Sequence, residues 1–164
     1  MGQKTHPVGF RLQMNKNWKS TWFTEKSFAT ELESDVKIRK YLKARLPNAG
    51  ISKVDISRTS KNITITIHTA RPGIVIGKGG EEVNRLKDEV KQLTNDSTNS
   101  KDNSKTVQIN ISEIKRPELD AALVGANIAH QLQKKVSYRR VVSKVIQSTM
   151  RMGAEGIRIN VAGR

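Results

Sequence analysis

The sequence predicts an α+β fold in two units: helix, strand, strand, glycine loop, helix and strand, then the start of a second α/β domain. Three observations carry this. Ile63-Thr64-Ile65-Thr66-Ile67 alternates apolar and polar residues with the period of a half-buried strand. Val83, Leu86, Val90 and Leu93 recur at the spacing of one helix face, directly after a glycine-rich tetrapeptide. Beyond Lys115-Arg116-Pro117, two further helical periods follow in succession. A chain of 164 residues has room for one or two small domains.

Residues 1–23 show no sustained period; Lys4, Arg11, Lys16 and Lys19 alternate with Phe10, Trp18, Trp22 and Phe23. A helix is expected over about 25–46. Phe28 and Leu32 fit one face, which Ile38, Leu42 and Leu46 continue, and Pro47-Asn48-Ala49-Gly50 stops it. A strand over about 51–58 places Val54 and Ile56 together, and Ser60-Lys61-Asn62 turns the chain into the alternating run at 63–67. The apolar run Ile74-Val75-Ile76 stops at Gly77-Lys78-Gly79-Gly80, and Glu81 and Glu82 open the next helix, where negative charge suits the dipole. That placement makes them a helix start rather than a catalytic carboxylate pair. Asn95 through Lys105 lacks any apolar side chain and reads as a flexible surface loop, after which Val107, Ile109 and Ile111 alternate as a third strand.

The second unit opens with a helix over 118–136. Leu119, Ala122, Leu123 and Ala126 form one face and Val124, Ile128 and Leu132 another, so packing on two sides is expected. Ser137 can cap the next helix. There Tyr138, Val141, Val142, Val145, Thr149 and Met152 make one stripe, and Arg140, Lys144, Gln147 and Arg151 the opposite one. Gly153 ends that helix, and Ile157, Ile159 and Val161 alternate as a closing strand. Two helices and one strand leave a sheet edge and an apolar face uncovered; the chain is expected to continue beyond Arg164, or a partner to cover the face.

Glycine at both ends of Gly77-Lys78-Gly79-Gly80 permits positive φ and close backbone approach, and the unpaired amides of a helix start attract anions. The surroundings decide which anion. A Walker loop needs four residues between its glycines followed by Lys and Ser or Thr, whereas Gly73 and Gly77 enclose three and Gly79 follows Lys78. The dinucleotide fingerprint would need a third glycine at Glu82. What remains is the G-x-x-G loop of a KH domain, which clamps a single-stranded nucleic acid backbone. Taken alone, the four residues fit a glycine-rich helix start without a ligand equally well.

The net charge of +15 and a pI near 10.3 predict a polyanionic partner. A membrane surface is the competing polyanion, but no apolar run approaches spanning length, His6 breaks the myristoylation pattern, and no signal peptide is visible. The absence of cysteine excludes disulfides and thiolate metal sites, and three scattered histidines form no metal constellation. No cofactor is called for. With aromatics at 4%, base stacking cannot dominate RNA affinity. The charge sits on the flanks. Residues 1–47 hold 10 Lys and Arg against 4 Asp and Glu, residues 48–114 hold 10 against 8, and residues 115–164 hold 10 against 3. From 121 to 154 there is no acidic residue at all. A single-sign stripe opposite a packed stripe is better explained by phosphate contact than by solvation, since solvated faces mix signs. By the same token residues 1–23 are either a disordered basic tail or an arm lying along RNA, pinned by a few aromatics.

Several motifs resemble the third protein of the bacterial small ribosomal subunit, the S-three family. They are Gly2-Gln3-Lys4-Thr5-His6-Pro7-Val8-Gly9-Phe10-Arg11-Leu12, Ser20-Thr21-Trp22-Phe23, His68-Thr69-Ala70-Arg71-Pro72-Gly73-Ile74-Val75-Ile76-Gly77, Arg116-Pro117-Glu118-Leu119-Asp120-Ala121 and Met152-Gly153-Ala154-Glu155-Gly156-Ile157. The similarity runs over the whole chain in order. It implies an arm over 1–23, a KH domain of the second topological type over 24–114, and the N-terminal part of a C-terminal α/β domain over 115–164. It further implies a cytoplasmic, non-enzymatic ribosomal protein seated on small-subunit ribosomal RNA near the opening where messenger RNA enters. Neighbours of the S-ten and S-fourteen families are implied as well.

The site residues follow from the same resemblance. Gly77, Lys78, Gly79 and Gly80 form the RNA-binding loop. Arg139 and Arg140 match the basic motif implicated in gripping and unwinding messenger RNA. The next basic position of the family is Ser143 in this chain, with Lys144 beside it, so the grip is expected to be shifted or weaker. Ribosomal RNA contacts are expected at Gly2, Gln3, Lys4, His6, Arg11, Lys16 and Lys19, and at Lys134, Lys135, Arg151 and Arg158. Lys134 and Lys135 stand where the family often has Arg and lack its bidentate fork. The Asn95–Lys105 loop is longer than in many relatives and receives no function, and the family continues past Gly163-Arg164. Two rivals stay open: a free-standing KH regulator of single-stranded RNA, disfavoured by the low aromatic content and flanking charge, and an enzyme such as a nuclease or GTPase, disfavoured by the missing Walker loop and metal carboxylates.

Overall fold

The computed structural model describes residues 2–97 and 106–163. A one-turn helix α1 (Pro7–Phe10) and a two-residue strand β1 (Ser20–Thr21) precede the long helix α2 (Phe28–Arg45). Strands β2 (Ile51–Arg58) and β3 (Asn62–Thr69), helices α3 (Pro72–Ile76) and α4 (Glu81–Ser97) and strand β4 (Thr106–Glu113) follow, and α5 (Ala121–Gln133) and α6 (Tyr138–Arg151) make the second unit. The sheet runs in the order β1-β2-β3-β4. β2 and β3 pair antiparallel as a hairpin, whereas β4 lies parallel to β3 because α3 and α4 cross between them.

Period-two alternation sends Val54, Ile56, Ile63, Ile65, Ile67, Val107 and Ile109 to one face of the sheet, where they meet Ile38 and Leu42 of α2 and Val75, Leu86 and Val90 of α3 and α4. The opposite face is polar, with Thr64 beside Gln108 and Thr66 beside Asn110 in register. Between α2 and α4, the Tyr41 hydroxyl donates to Glu89 Oε2 at 2.5 Å. Burial, and then the adjacent carboxylate, raise its pKa above 10.0.

Several sequence expectations change. Phe28 and Leu32 do not continue the buried face of α2; both are exposed, with Val36. The inward positions of the helix's first half are polar, because Ser34 and Asp35 are buried there around Arg58 from β2. The Asp35 carboxylate is fully buried. Its Oδ1 accepts from Arg58 Nε at 2.7 Å, and its Oδ2 accepts from the Ser20 hydroxyl at 2.7 Å and Trp22 Nε1 at 2.9 Å. Glu31 completes the cluster by pairing with Arg58. These bonds hold β1 in parallel register with Ile56 and Ser57, a strand the sequence reading lacks.

The apolar run Ile74-Val75-Ile76, to which the sequence assigns no element, is helical in α3. α4 runs to Ser97, past the expected loop start at Asn95; the rest of that loop, 98–105, lies outside the described residues. α5 begins at Ala121 rather than 118, capped by Asp120 Oδ1, which accepts from the amides of Ala122 and Leu123. Oδ2 of the same carboxylate accepts from the Ser52 hydroxyl at 2.6 Å, which ties α5 to β2. α5 ends at Gln133, since Lys135 takes φ of 60°. Ile128 packs with Val141 and Val145 of α6, and Leu123 is buried beside Gly50, but Ala122 and Ala126 stay exposed. Ser137 sits at the N-terminus of α6 without a side-chain cap bond. Ile157 and Ile159 pack on the α5–α6 cluster but form no strand, since the segment pairs with no strand among the described residues.

Arg58 pairs with two carboxylates in a nearly dry site. Arg58→Met leaves Asp35 buried without its cation and is expected to cost about 3–5 kcal/mol in urea unfolding. A loss under about 1 kcal/mol would show that the cluster is peripheral to stability.

Candidate nucleic-acid interface

The glycine loop is built by backbone geometry. α3 ends at Ile76, and Gly77 takes φ 70° and ψ −175°, a region essentially closed to side-chain-bearing residues. A Cβ there would stand 2.6 Å from Glu82 Cγ. Lys78–Gly80 form one tight turn, with Gly79 and Gly80 also at positive φ, and α4 begins at once. The tip is open: Lys78 and Gly79 are exposed, and so are Ile74 and Ile76 beside them. The result is an exposed turn with one cation, small enough for a phosphate backbone to lie against. Its neighbouring charges are engaged within the protein, Glu82 with Arg45 at 3.5 Å and with Arg85 at 3.6 Å.

The arm is less extended than the sequence suggests. His6 Nδ1 accepts from the Gly9 amide and caps α1, and Arg11 Nη1 donates to the Pro7 carbonyl at 3.0 Å. The Gln13 amide donates to the Lys16 carbonyl, closing a second turn in which Gln13 has φ of 69°. Gly2, Gln3, Lys4, His6, Arg11, Lys16 and Lys19 are all exposed. The aromatics divide: Trp22 pins the arm to Asp35 and meets the Phe28 ring at 5.4 Å, while Phe10, Trp18 and Phe23 face outward.

In the second unit, α6 buries Val141, Val145 and Thr149 and exposes Arg140, Lys144, Gln147 and Arg151 on the other side, whereas Tyr138 and Met152, expected in the packed stripe, are exposed. Arg139 is set apart from that stripe. About 100° of rotation per residue turns it toward a groove lined by Tyr138, Val142, Ile146 and Ile159. Its guanidinium lies 5.8 Å from the Tyr138 ring centroid, and its Nε donates to the Tyr138 hydroxyl at 3.1 Å. Lys134 and Lys135 project from the turn that ends α5, and Arg158 is exposed on the segment packed beneath α6.

Charge pairing separates these surfaces. Among the described residues, every ion pair falls between Glu31 and Glu89. None involves Lys4, Arg11, Lys16 or Lys19 of the arm, nor Lys134, Lys135, Arg139, Arg140, Lys144, Arg151 or Arg158. No group of three or more His, Asp or Glu among the described residues is placed to hold a metal ion. No described helix is long and apolar enough to cross a membrane.

A family model described as KH domain matches residues 37–119, and one described as Ribosomal protein S3, C-terminal domain matches residues 128–164. The chain is 54% identical to the small ribosomal subunit protein uS3 of Cytophaga hutchinsonii over 100% of its own length and 61% of that protein. It is 51% identical to the uS3 protein of Salinibacter ruber, covering 66% of it, and 49% identical to that of Ligilactobacillus salivarius, covering 71%. The chain belongs to the uS3 family. It spans about two thirds or less of the first two of these relatives. The order α2-β2-β3-α3-α4-β4 is the KH unit implied by the sequence motifs, with Gly77–Gly80 between its second and third helices.

What sequence reasoning missed in this uS3-family chain is the anchoring group. Asp35 and Arg58 lie in none of the resembling motifs, and Asp120 lies in one without its capping role being read. Two signals were nonetheless present: Glu31, Asp35, Ile38 and Leu42 share one helix face, and Arg58 continues the inward alternation of Val54 and Ile56.

Gly77→Ala is expected to destabilise the protein by about 1–3 kcal/mol, read as a lowered thermal midpoint. Lys78→Ala should leave the midpoint unchanged. Equal midpoints for both would show that the loop tolerates a Cβ at Gly77.

Proposed function

We propose that this chain is a structural, non-enzymatic constituent of the small ribosomal subunit in the cytoplasm, binding ribosomal RNA and bordering the path of incoming messenger RNA. The observation that carries the reading is the partition of charge. The KH unit neutralises much of its own charge internally, while the arm and the α5–α6 unit present exposed cations without acidic partners. Unpaired cations retain their full capacity to displace condensed counterions from RNA, which makes affinity fall steeply with salt.

Within this reading the chain divides into an arm over 1–23, a KH unit over 24–114 and the beginning of a further domain over 115–164. Lys4, Arg11, Lys16 and Lys19, with Gly2, Gln3 and His6 in close backbone approach, lie on ribosomal RNA, as do Lys134, Lys135, Arg151 and Arg158. Arg139, Arg140 and Lys144 hold messenger RNA by its phosphates and read no sequence. The tyrosine contact fixes Arg139 in place, so less side-chain freedom is lost when a strand arrives. Unwinding is mechanical, driven by movement of the ribosome against this grip. The Gly77–Gly80 loop is a further backbone site, and neighbours of the S-ten and S-fourteen families are the protein partners.

Arg139→Ala combined with Arg140→Ala is expected to slow translation through a stable message hairpin several-fold while leaving an unstructured message near the parent rate. Equal slowing on both messages would contradict the messenger role. Failure of the parent chain to co-sediment with small subunits at moderate salt would contradict the ribosomal one.

A further inference from the structure

We propose that Asp35 is the positioning residue for the arm: a buried carboxylate that fixes where the arm's cations stand relative to the KH sheet. The inference rests on the reading that the arm binds ribosomal RNA. Its two oxygens face different parts of the chain. Oδ1 is taken by Arg58 of the sheet, and Oδ2 only by arm donors, the Ser20 hydroxyl at 2.7 Å and Trp22 Nε1 at 2.9 Å. A buried carboxylate must have the lone pairs that Arg58 leaves free satisfied, and here both of the donors that do so come from the arm rather than from the core.

The backbone of the arm is gripped at the same place. The Lys19 carbonyl accepts from the Ile56 amide at 3.0 Å and from Arg39 Nη2 at 2.9 Å, and the same Arg39 nitrogen donates to the Ser20 hydroxyl. Outward from this point the turn at Gln13–Lys16 and the Arg11–Pro7 contact keep the cations in a defined order. A basic segment of this kind would bind RNA even if loose, but it would lose its conformational freedom on binding. Docked on Asp35, it has lost much of that freedom already, which raises affinity without adding a phosphate contact. Asp35 therefore acts on affinity and on placement, not on the number of charges engaged.

That distinction is measurable in the full chain with small-subunit ribosomal RNA across a KCl series. Ser20→Ala with Trp22→Phe removes both arm donors, leaves Arg58 on Oδ1 and keeps a ring against Phe28. It should bind about tenfold more weakly, with the parent salt slope and with the Ile65 amide still protected from exchange. Trp22→Phe alone, a gentler change, should weaken binding in the same direction, and Ser20→Thr, which keeps the hydroxyl, should bind like the parent. Replacing Lys4, Arg11, Lys16 and Lys19 together with Ala should make the slope shallower by about 3, at roughly 0.7–0.9 per phosphate. Parent-like affinity in both the double variant and Trp22→Phe, alongside a shallower slope in the quadruple variant, would overturn the positioning role and leave the arm's RNA contact standing. A parent slope in the quadruple variant would instead remove the arm's RNA contact itself.

Discussion

The ion pair between Asp35 and Arg58 is the constraint on which much of the rest depends. An arginine on the inward face of β2 would be an unpaired charge in the core unless carboxylates met it there, and Asp35 and Glu31 of α2 do so. Taking three charges out of water is costly, and the geometry must be good enough to offset it. The remaining lone pairs of Asp35 also require donors, and Ser20 and Trp22 of the arm supply them. The arm is thereby bound to the KH unit by the same need for hydrogen bonding that stabilises the pair. Helix α2, strand β2 and residues 19–22 of the arm become one structural unit at this point.

A second polar joint plays a similar part between the KH unit and α5. Asp120 caps its own helix with one oxygen and accepts from Ser52 of β2 with the other. Since α6 packs on α5 through Ile128 and Val141, the outward direction of Arg140, Lys144 and Arg151 is set relative to the sheet by that cap and the Leu123 contact near Gly50. Both basic flanks are thus fixed to a central unit that keeps much of its own charge paired. This is the arrangement that the proposed RNA-binding role uses, with exposed cations on both flanks.

The regular elements were legible because their periods are clean. The β2–β3 hairpin, α4 and the two stripes of α6 follow directly from alternation and helical spacing, and the glycine tetrapeptide marks the α3–α4 turn by the positive φ it permits. The misreadings have particular causes. β1 is two residues long, too short to show a period, and its register comes from Asp35 rather than from its own side chains. The short helix α3 is not legible at all: three apolar residues show no period, and the helix is started by Pro72 and held by the packing of Val75 despite its β-branched residues. Phe28 and Leu32 mimic a buried face that is in fact filled by Ser34 and Asp35. The stretch 157–161 alternates correctly, but alternation specifies a face and not a hydrogen-bonded neighbour. Among the basic residues, charge and spacing picked out the exposed stripe, whereas the difference in facing between Arg139 and Arg140 emerges only when the groove beside Tyr138 is seen.

Docking of the arm as an edge strand makes the Ile56 amide a direct reporter. The Ile56 N–H points away from β3 and donates to the Lys19 carbonyl. Native-state hydrogen exchange should therefore show Ile56 protected to the same order as the amides of the β2–β3 ladder. Rapid exchange at Ile56 with the ladder still protected would mean that the arm is not held on the sheet, which contradicts a central role for Asp35.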